Sequence, residues 1–194
     1  MDDERVAAGP WTRRTRRVAY ENPWITIWHD EVIRPDGEPG IYGVVHFANL
    51  AVGALVLDDT GRVLLVGQHR YALDRYSWEI PEGGVPAGES PLDGARRELK
   101  EETGIDASDW TEIGRSHLSN SVSDEEAVFY LATNLTHGVA TPDGTEALAI
   151  RWLPFEEVLA MSLDGRITDA LTVLAVQRAA LARLSAPDPD DGWR

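Results

Sequence analysis

Residues 83–105 read GGVPAGESPLDGARRELKEETGI, and their punctuation marks out a helix before the rest of the chain is considered. Ser90 can cap an N-terminus through its hydroxyl. Pro91 suits the first helical position, where a backbone N–H would have no partner, and Asp93 puts a negative charge in the first turn. Gly104 fits the left-handed residue that ends a helix. On this helix Leu92, Ala95 and Leu99 share one face and must be buried. Glu98 and Glu102 lie one turn apart beside that stripe, Glu101 lies further round, and Arg97 precedes Glu101 by one turn. Two stacked carboxylates at the border of a core repel each other, so they are either solvated or bridged by a cation. Oxygen-only ligands, tightly grouped and without a cysteine or local histidine, suit Mg²⁺ or Mn²⁺ better than zinc or copper. Arg97 is placed to pair with Glu101 and hold it.

Upstream, residues 81–89 hold three glycines and two prolines and read as a loop, entered by a short extended piece at 78–80. Two apolar runs, 50–57 and 62–68, joined by Asp58-Asp59-Thr60-Gly61, read as a hairpin. Residues 20–46 read as a small β unit, with strand formers at 24–28 and 41–45 and turn chemistry at Pro35-Asp36-Gly37. Downstream, 110–118, 126–133 and 148–153 read as strands and 155–161 as a short helix. Thr168 can cap a last helix running to about 184, with Leu171, Leu174, Ala175 and Leu181 as its apolar stripe. The expected organisation is a flexible arm at 1–17, an N-terminal β subdomain at 18–47, a main domain at 48–184 and a disordered tail at 185–194. The irregular mixture of strands and helices indicates an α/β fold with a mixed sheet.

Composition narrows the function classes. The chain has 194 residues, 43% of them hydrophobic, enough for one globular domain with a core. Without cysteine, disulfides, thiolate zinc sites and a cysteine nucleophile are excluded. A formal charge of −15 argues against nucleic acid as a partner, because backbone phosphates need basic patches. It is compatible with an anionic small-molecule substrate if divalent cations neutralise both sides locally. No apolar run reaches membrane-spanning length and the first residues do not form a signal peptide, so a cytoplasmic protein is expected. Lys100 is the single lysine among 18 basic residues, a bias without functional weight.

Gly83, Glu89, Arg97-Glu98-Leu99, Glu101-Glu102 and Gly104-Ile105 together match every position of the Nudix box. Seven fixed identities and two aliphatic positions coincide by chance on the order of 10⁻⁹ per starting point. From about residue 20 to 184 the chain resembles the ADP-ribose and nucleoside-diphosphate-sugar pyrophosphatase branch of the Nudix hydrolases. The supporting pieces are Tyr20-Glu21-Asn22-Pro23-Trp24, Arg34-Pro35-Asp36-Gly37, Gln68-His69-Arg70-Tyr71, Trp78-Glu79-Ile80-Pro81-Glu82-Gly83 and Gly165-Arg166-Ile167-Thr168-Asp169-Ala170. The resemblance implies an α/β/α sandwich with a mixed sheet, preceded by a small antiparallel β subdomain through which members form homodimers. It implies Mg²⁺ on Glu98 and Glu102 with help from Glu101, the backbone carbonyl of Glu82 and an acid from a late loop, Glu146 being best placed. The implied reaction is water attack on a nucleoside diphosphate sugar such as ADP-ribose, releasing a nucleoside monophosphate and a sugar phosphate.

The resemblance leaves the general base open. The late-loop position that aligns with it is Gly144, so Glu146, Asp143, Glu125 and Glu101 all come into consideration. A second departure is the loop Leu118-Ser119-Asn120-Ser121-Val122-Ser123-Asp124-Glu125, which keeps the family's acidic pair and loses its Pro-Gly, leaving broader diphosphate-sugar hydrolysis open. Arg70, at the end of an apolar strand, is a candidate phosphate clamp, against a surface salt bridge as the alternative. Arg75 is evenly balanced between those roles. Glu79 either bonds a base and supports the metal site or is a structural acid. Trp24 and Trp28 are candidate base-stacking residues, against core or dimer packing. His46, His69 and His117 lack metal-ligand spacing and read as solvated or structural, and Asp124 and Glu125 can be simply solubilising. Two other functions remain in view: a Nudix enzyme acting on nucleoside triphosphates or dinucleoside polyphosphates, and a non-catalytic nucleotide-sugar sensor.

Overall fold

The computed structural model describes residues 6–140 and 148–185. Glu146, Asp143 and Gly144, together with residues 186–194 of the expected tail, lie outside the described residues, whereas Ser185 ends the last helix. Internal contacts divide the chain into two units, Met1–Leu50 with His117–Glu126, and Ala51–Ser116 with Ala127–Arg194.

The first unit is a four-stranded sheet in the order β1 (Val6–Ala8), β2 (Trp11–Glu21), β3 (Ile25–Ile33), β4 (Pro39–Phe47). Residues 6–8 and 11–17, expected as part of a flexible arm, are therefore strand, joined by a turn at 9–10. Trp11, Thr12, Thr15 and Val18 favour extended backbone, and every β2–β3 pair is antiparallel. Arg16, which makes the segment look like a solvated charge run, grips Asp30 across that pair with two bonds of 2.8 and 2.7 Å. The turn after β3 forms as expected: Gly37 sits at φ 88° and donates its N–H to the Arg34 carbonyl at 2.9 Å. Residues 117–126 belong to this unit because β4 holds them. Val45 N–H donates to the Val122 carbonyl at 2.8 Å and the Tyr42 hydroxyl to the Ser121 carbonyl at 2.7 Å. Asp124 accepts from Phe47 N–H at 3.1 Å and meets His46 Nδ1 at 2.6 Å. Asp124 is thus a tether rather than loop solubility, and His46, stacked on Trp28, is structural.

The second unit contains two sheets. One has the order β8 (Glu82–Val85), β5 (Leu50–Val56), β10 (Glu126–His137), β9 (Ile105–His117), with β5 and β10 parallel. The other is antiparallel, in the order β11 (Ala149–Pro154), β6 (Arg62–Arg70), β7 (Arg75–Glu79). The hairpin expected at 50–68 is corrected here. Asp58 closes its turn, but only Leu57 and Val63 bridge, and β5 and β6 then enter different sheets. β5 and residues 63–67 of β6 are continuously apolar, which allows each to be covered on both faces instead of pairing with its sequence neighbour. The glycine-rich stretch 81–89 is likewise not all loop, since β8 pairs beside β5, led by Ala54 N–H donating to the Pro81 carbonyl at 2.8 Å.

Three helices complete this unit: α1 (Pro91–Thr103), α2 (Phe155–Asp164) and α3 (Ala170–Ser185). Among the described residues none is long and apolar enough to cross a membrane. α3 departs from expectation at its start and along its buried face. Asp169, not Thr168, caps it, accepting from Thr172 N–H at 2.7 Å. Its buried face runs through Leu171, Thr172, Ala175, Val176 and Ala179, while Leu181 is exposed. The fold is mixed α/β with an antiparallel N-terminal sheet, in agreement with the class expected from the sequence.

Candidate active site

The glutamates singled out in the sequence are placed by α1. Its ends form as the sequence indicates: the Ser90 hydroxyl accepts from Asp93 N–H at 3.1 Å, Pro91 opens the helix, and Gly104 closes it at φ 71°. Leu99 is wholly buried in a cluster with Ala54, Val56, Leu64, Ile105 and Ala132. Full burial of one such side chain contributes about 1.5–3 kcal/mol. That burial fixes the rotation of α1 and brings Glu102 inward, leaving it 4% exposed.

α1 lies against β8 through two glycines. A Cβ on Gly94 would overlap Val85, and a Cβ on Gly83 would overlap the Glu98 carboxylate itself. Glu98 therefore rests on bare backbone. Arg97 holds the same edge together. It pairs with both oxygens of Glu89 at 3.1 and 3.0 Å, with Glu98 at 2.7 Å, with Glu101 at 3.2 Å and with the Gly84 carbonyl at 3.0 Å. The bonds to Glu89, with those to Glu98 and Glu101, raise its pKa further above the usual guanidinium value, against a smaller opposing effect of burial. The expected Arg97–Glu101 pair is present as one contact in a wider fork.

A second group of acids converges from three other elements. Glu79 ends β7 at 2% exposure, Glu82 opens β8 and Asp169 caps α3. These three place ligand oxygens within 4.8 Å of one another. Arg70, at the end of β6, donates to both Glu79 oxygens, with Nε at 2.9 and 3.0 Å, and to Glu82 at 2.8 Å. Burial, reinforced by Asp169, Glu79 and Glu102, pushes the Glu82 carboxyl well above the usual carboxylate range, and Arg70 only partly offsets this. Glu82 Oε2 is buried with no hydrogen-bond donor. The donors fit a hard divalent cation: all are carboxylate oxygens, one buried oxygen has no proton to accept, and Gly83 clears the space Glu98 occupies.

The other sequence candidates fall as follows. Arg75 donates to the Thr168 hydroxyl. Trp24 is 69% exposed, whereas Trp28 lies between the Arg16 guanidinium and the His46 ring within the N-terminal sheet. Glu125 is half-buried, and that burial raises its carboxyl pKa. Sequence reasoning gave no role to Asp169, although an acid just before a helical pattern is a capping signal. It also assigned Glu82 only through its carbonyl, whereas its side chain enters the acidic group.

Comparison with known proteins agrees with this geometry. Residues 48–179 match the NUDIX domain, and residues 11–45 match the nucleoside diphosphate sugar hydrolase N-terminal domain. The chain is 36% identical over 172 residues to an ADP-ribose pyrophosphatase of Mycobacterium tuberculosis, covering 84% of this chain and 82% of that protein. It is 31% identical to an ADP-ribose pyrophosphatase of Bacillus subtilis, covering 79% and 83% respectively. A crystal structure of an ADP compounds hydrolase superposes with a TM-score of 0.81 over 91% of this chain and 96% of that one, at 20% identity, a likeness of fold. With the box helix, its glycine seat and its carboxylates all in place, the chain belongs to the Nudix hydrolase family.

Proposed function

We propose that this protein hydrolyses the diphosphate linkage of a nucleoside diphosphate sugar such as ADP-ribose, releasing a nucleoside monophosphate and a sugar phosphate. The observation that carries the reading is the seating of Glu98 on Gly83 beside buried Glu102, joined to an N-terminal unit of the nucleoside-diphosphate-sugar hydrolase type. The relatives named ADP-ribose pyrophosphatase support the substrate class.

Glu98 and Glu102 would hold a divalent cation, Mg²⁺ or Mn²⁺, with Glu101 and the Glu82 carbonyl as further ligands. The cation, when bound, lowers the pKa of water and offsets phosphate charge. Arg97 keeps Glu98 and Glu101 in position through its fork. Arg70 and Arg75, paired in register where β6 turns into β7, supply the positive charge that receives a diphosphate. The water's proton passes to a carboxylate, and Glu101, Glu125 and Glu146 have the required chemistry. Exposed Trp24, just before β3, is available to stack a base, and Trp28 on β3 is the second candidate. The apolar side chains Val18, Tyr20 and Ile41 exposed on this sheet support a homodimer, and a cytoplasmic location accords with the composition.

The test is incubation with ADP-ribose, other nucleoside diphosphate sugars, nucleoside triphosphates and dinucleoside polyphosphates in Mg²⁺, with products identified by mass. AMP and ribose 5-phosphate, or the corresponding pair from another sugar nucleotide, support the proposal. Faster cleavage of triphosphates redirects it to a different Nudix substrate class. Tight binding with no turnover of any compound makes the protein a sensor. Single Gln substitutions at Glu101, Glu125 and Glu146 identify the base as the position whose loss removes the basic-side dependence of kcat.

A further inference from the structure

The antiparallel register of β6 and β7 sets Arg70 directly across from Arg75. Like charges opposite each other are unfavourable, and here they part. Arg75 turns to the Thr168 hydroxyl, while Arg70 reaches along the sheet to Glu79 and Glu82. Both oxygens of Glu79 and one of Glu82 are thereby taken by a cation that the chain itself supplies. The same two residues with Asp169 present the three close oxygens that suit a divalent ion.

The group is held firmly on its far side. Asp169 Oδ2 accepts from both the Thr172 N–H and its hydroxyl at 2.7 Å, and the Thr172 oxygen accepts from Ile80 N–H at 2.9 Å. Thr172 is wholly buried, so this link joins the start of α3 to the end of β7. Arg70, by contrast, is 37% exposed along its side chain and is the one partner free to swing outward. One guanidinium against three carboxylates leaves excess negative charge, and Glu82 Oε2 is buried without a hydrogen-bond donor.

We propose that Arg70 is a displaceable counter-ion: a divalent cation competes with its guanidinium for Glu79, Glu82 and Asp169, and cation entry turns Arg70 toward an incoming phosphate. The second half rests on the hydrolase reading above; the competition itself does not. It orders events, because the phosphate-binding arginine becomes available only once the cation is in place.

Two measurements without substrate test the competition. In the wild-type protein under chelator, the Arg70 Nε–H gives a proton resonance protected from exchange, assigned by its absence in Arg70→Lys. Saturating Mg²⁺ removes that protection; if protection persists, cation and guanidinium share the acids and the proposal is overturned. By calorimetry, Arg70→Gln binds Mn²⁺ at least about fivefold more tightly than wild type, the lower end of ordinary coupling between linked sites. Equal or weaker binding overturns it. Should Arg70→Gln fail to fold, the wild-type resonance decides alone. A protein that hydrolyses no diphosphate yet shows both effects fails only the functional reading.

Discussion

Single atoms decide how close the acids of this site can come. Gly83 matters for the side chain it lacks, because the Glu98 carboxylate fills the space a Cβ would take. Gly83→Ala is expected to push that flexible carboxylate aside, lowering kcat about 100-fold, the cost of an ångström-scale misplacement, while the melting temperature barely moves. Arg97→Ala removes the fork over Glu89, Glu98 and Glu101, and steady-state kinetics should show a loss of about 10–100-fold. Asp58, away from the site, gives a pH signature. Burial works against its charge, but hydrogen bonds from Arg62 and Thr60 outweigh that and lower its pKa from 3.8 to about 2. A depressed folded-state value stabilises above the unfolded pKa and is lost as pH falls from about 4 toward 2. Asp58→Asn should therefore cost about 1 kcal/mol at neutral pH after solvent screening, and the difference from wild type should vanish near pH 2 in urea titrations.

At the scale of elements, α1 was legible from local chemistry alone. Ser90, Pro91, Asp93 and Gly104 act within one turn of their own backbone, so their spacing carries the whole message. Ser90→Ala should cost about 1 kcal/mol and Leu99→Ala about 2–5 kcal/mol in urea unfolding, the first from a lost cap and the second from a cavity. What escaped the sequence depends on partners distant in the chain. β5 and β6 look like a hairpin because their pattern cannot say which sheet each joins. The β2 arginines look like a solvated arm because Asp30, which fixes Arg16, lies beyond the next turn. Asp169 and Glu82 gain meaning only where α3, β7 and β8 converge. The loop 118–125 stands out in the sequence by its departure from the family pattern, but the side chains that anchor it, Tyr42 and His46, are on β4.

At the scale of the whole molecule, a net charge of −15 conflicts with an anionic substrate unless cations intervene. The acids on α1, and those on β7, β8 and the start of α3, give this requirement a location. Under the proposed function, folding and cation binding are linked. Mg²⁺ at about 100 times its Kd should stabilise the protein by about 2.7 kcal/mol, a rise of roughly 5–10 °C in melting temperature that EDTA reverses. An unchanged melting temperature across saturating Mg²⁺ would separate the acids from cation binding. The most direct test of the central claim is Mg²⁺-dependent turnover of ADP-ribose by wild-type protein and Glu102→Gln side by side, each checked for native folding by circular dichroism. Wild type should release AMP and ribose 5-phosphate while the folded variant is slower by about 100-fold or more; equal turnover by the two would contradict the assignment of the reaction to this helix.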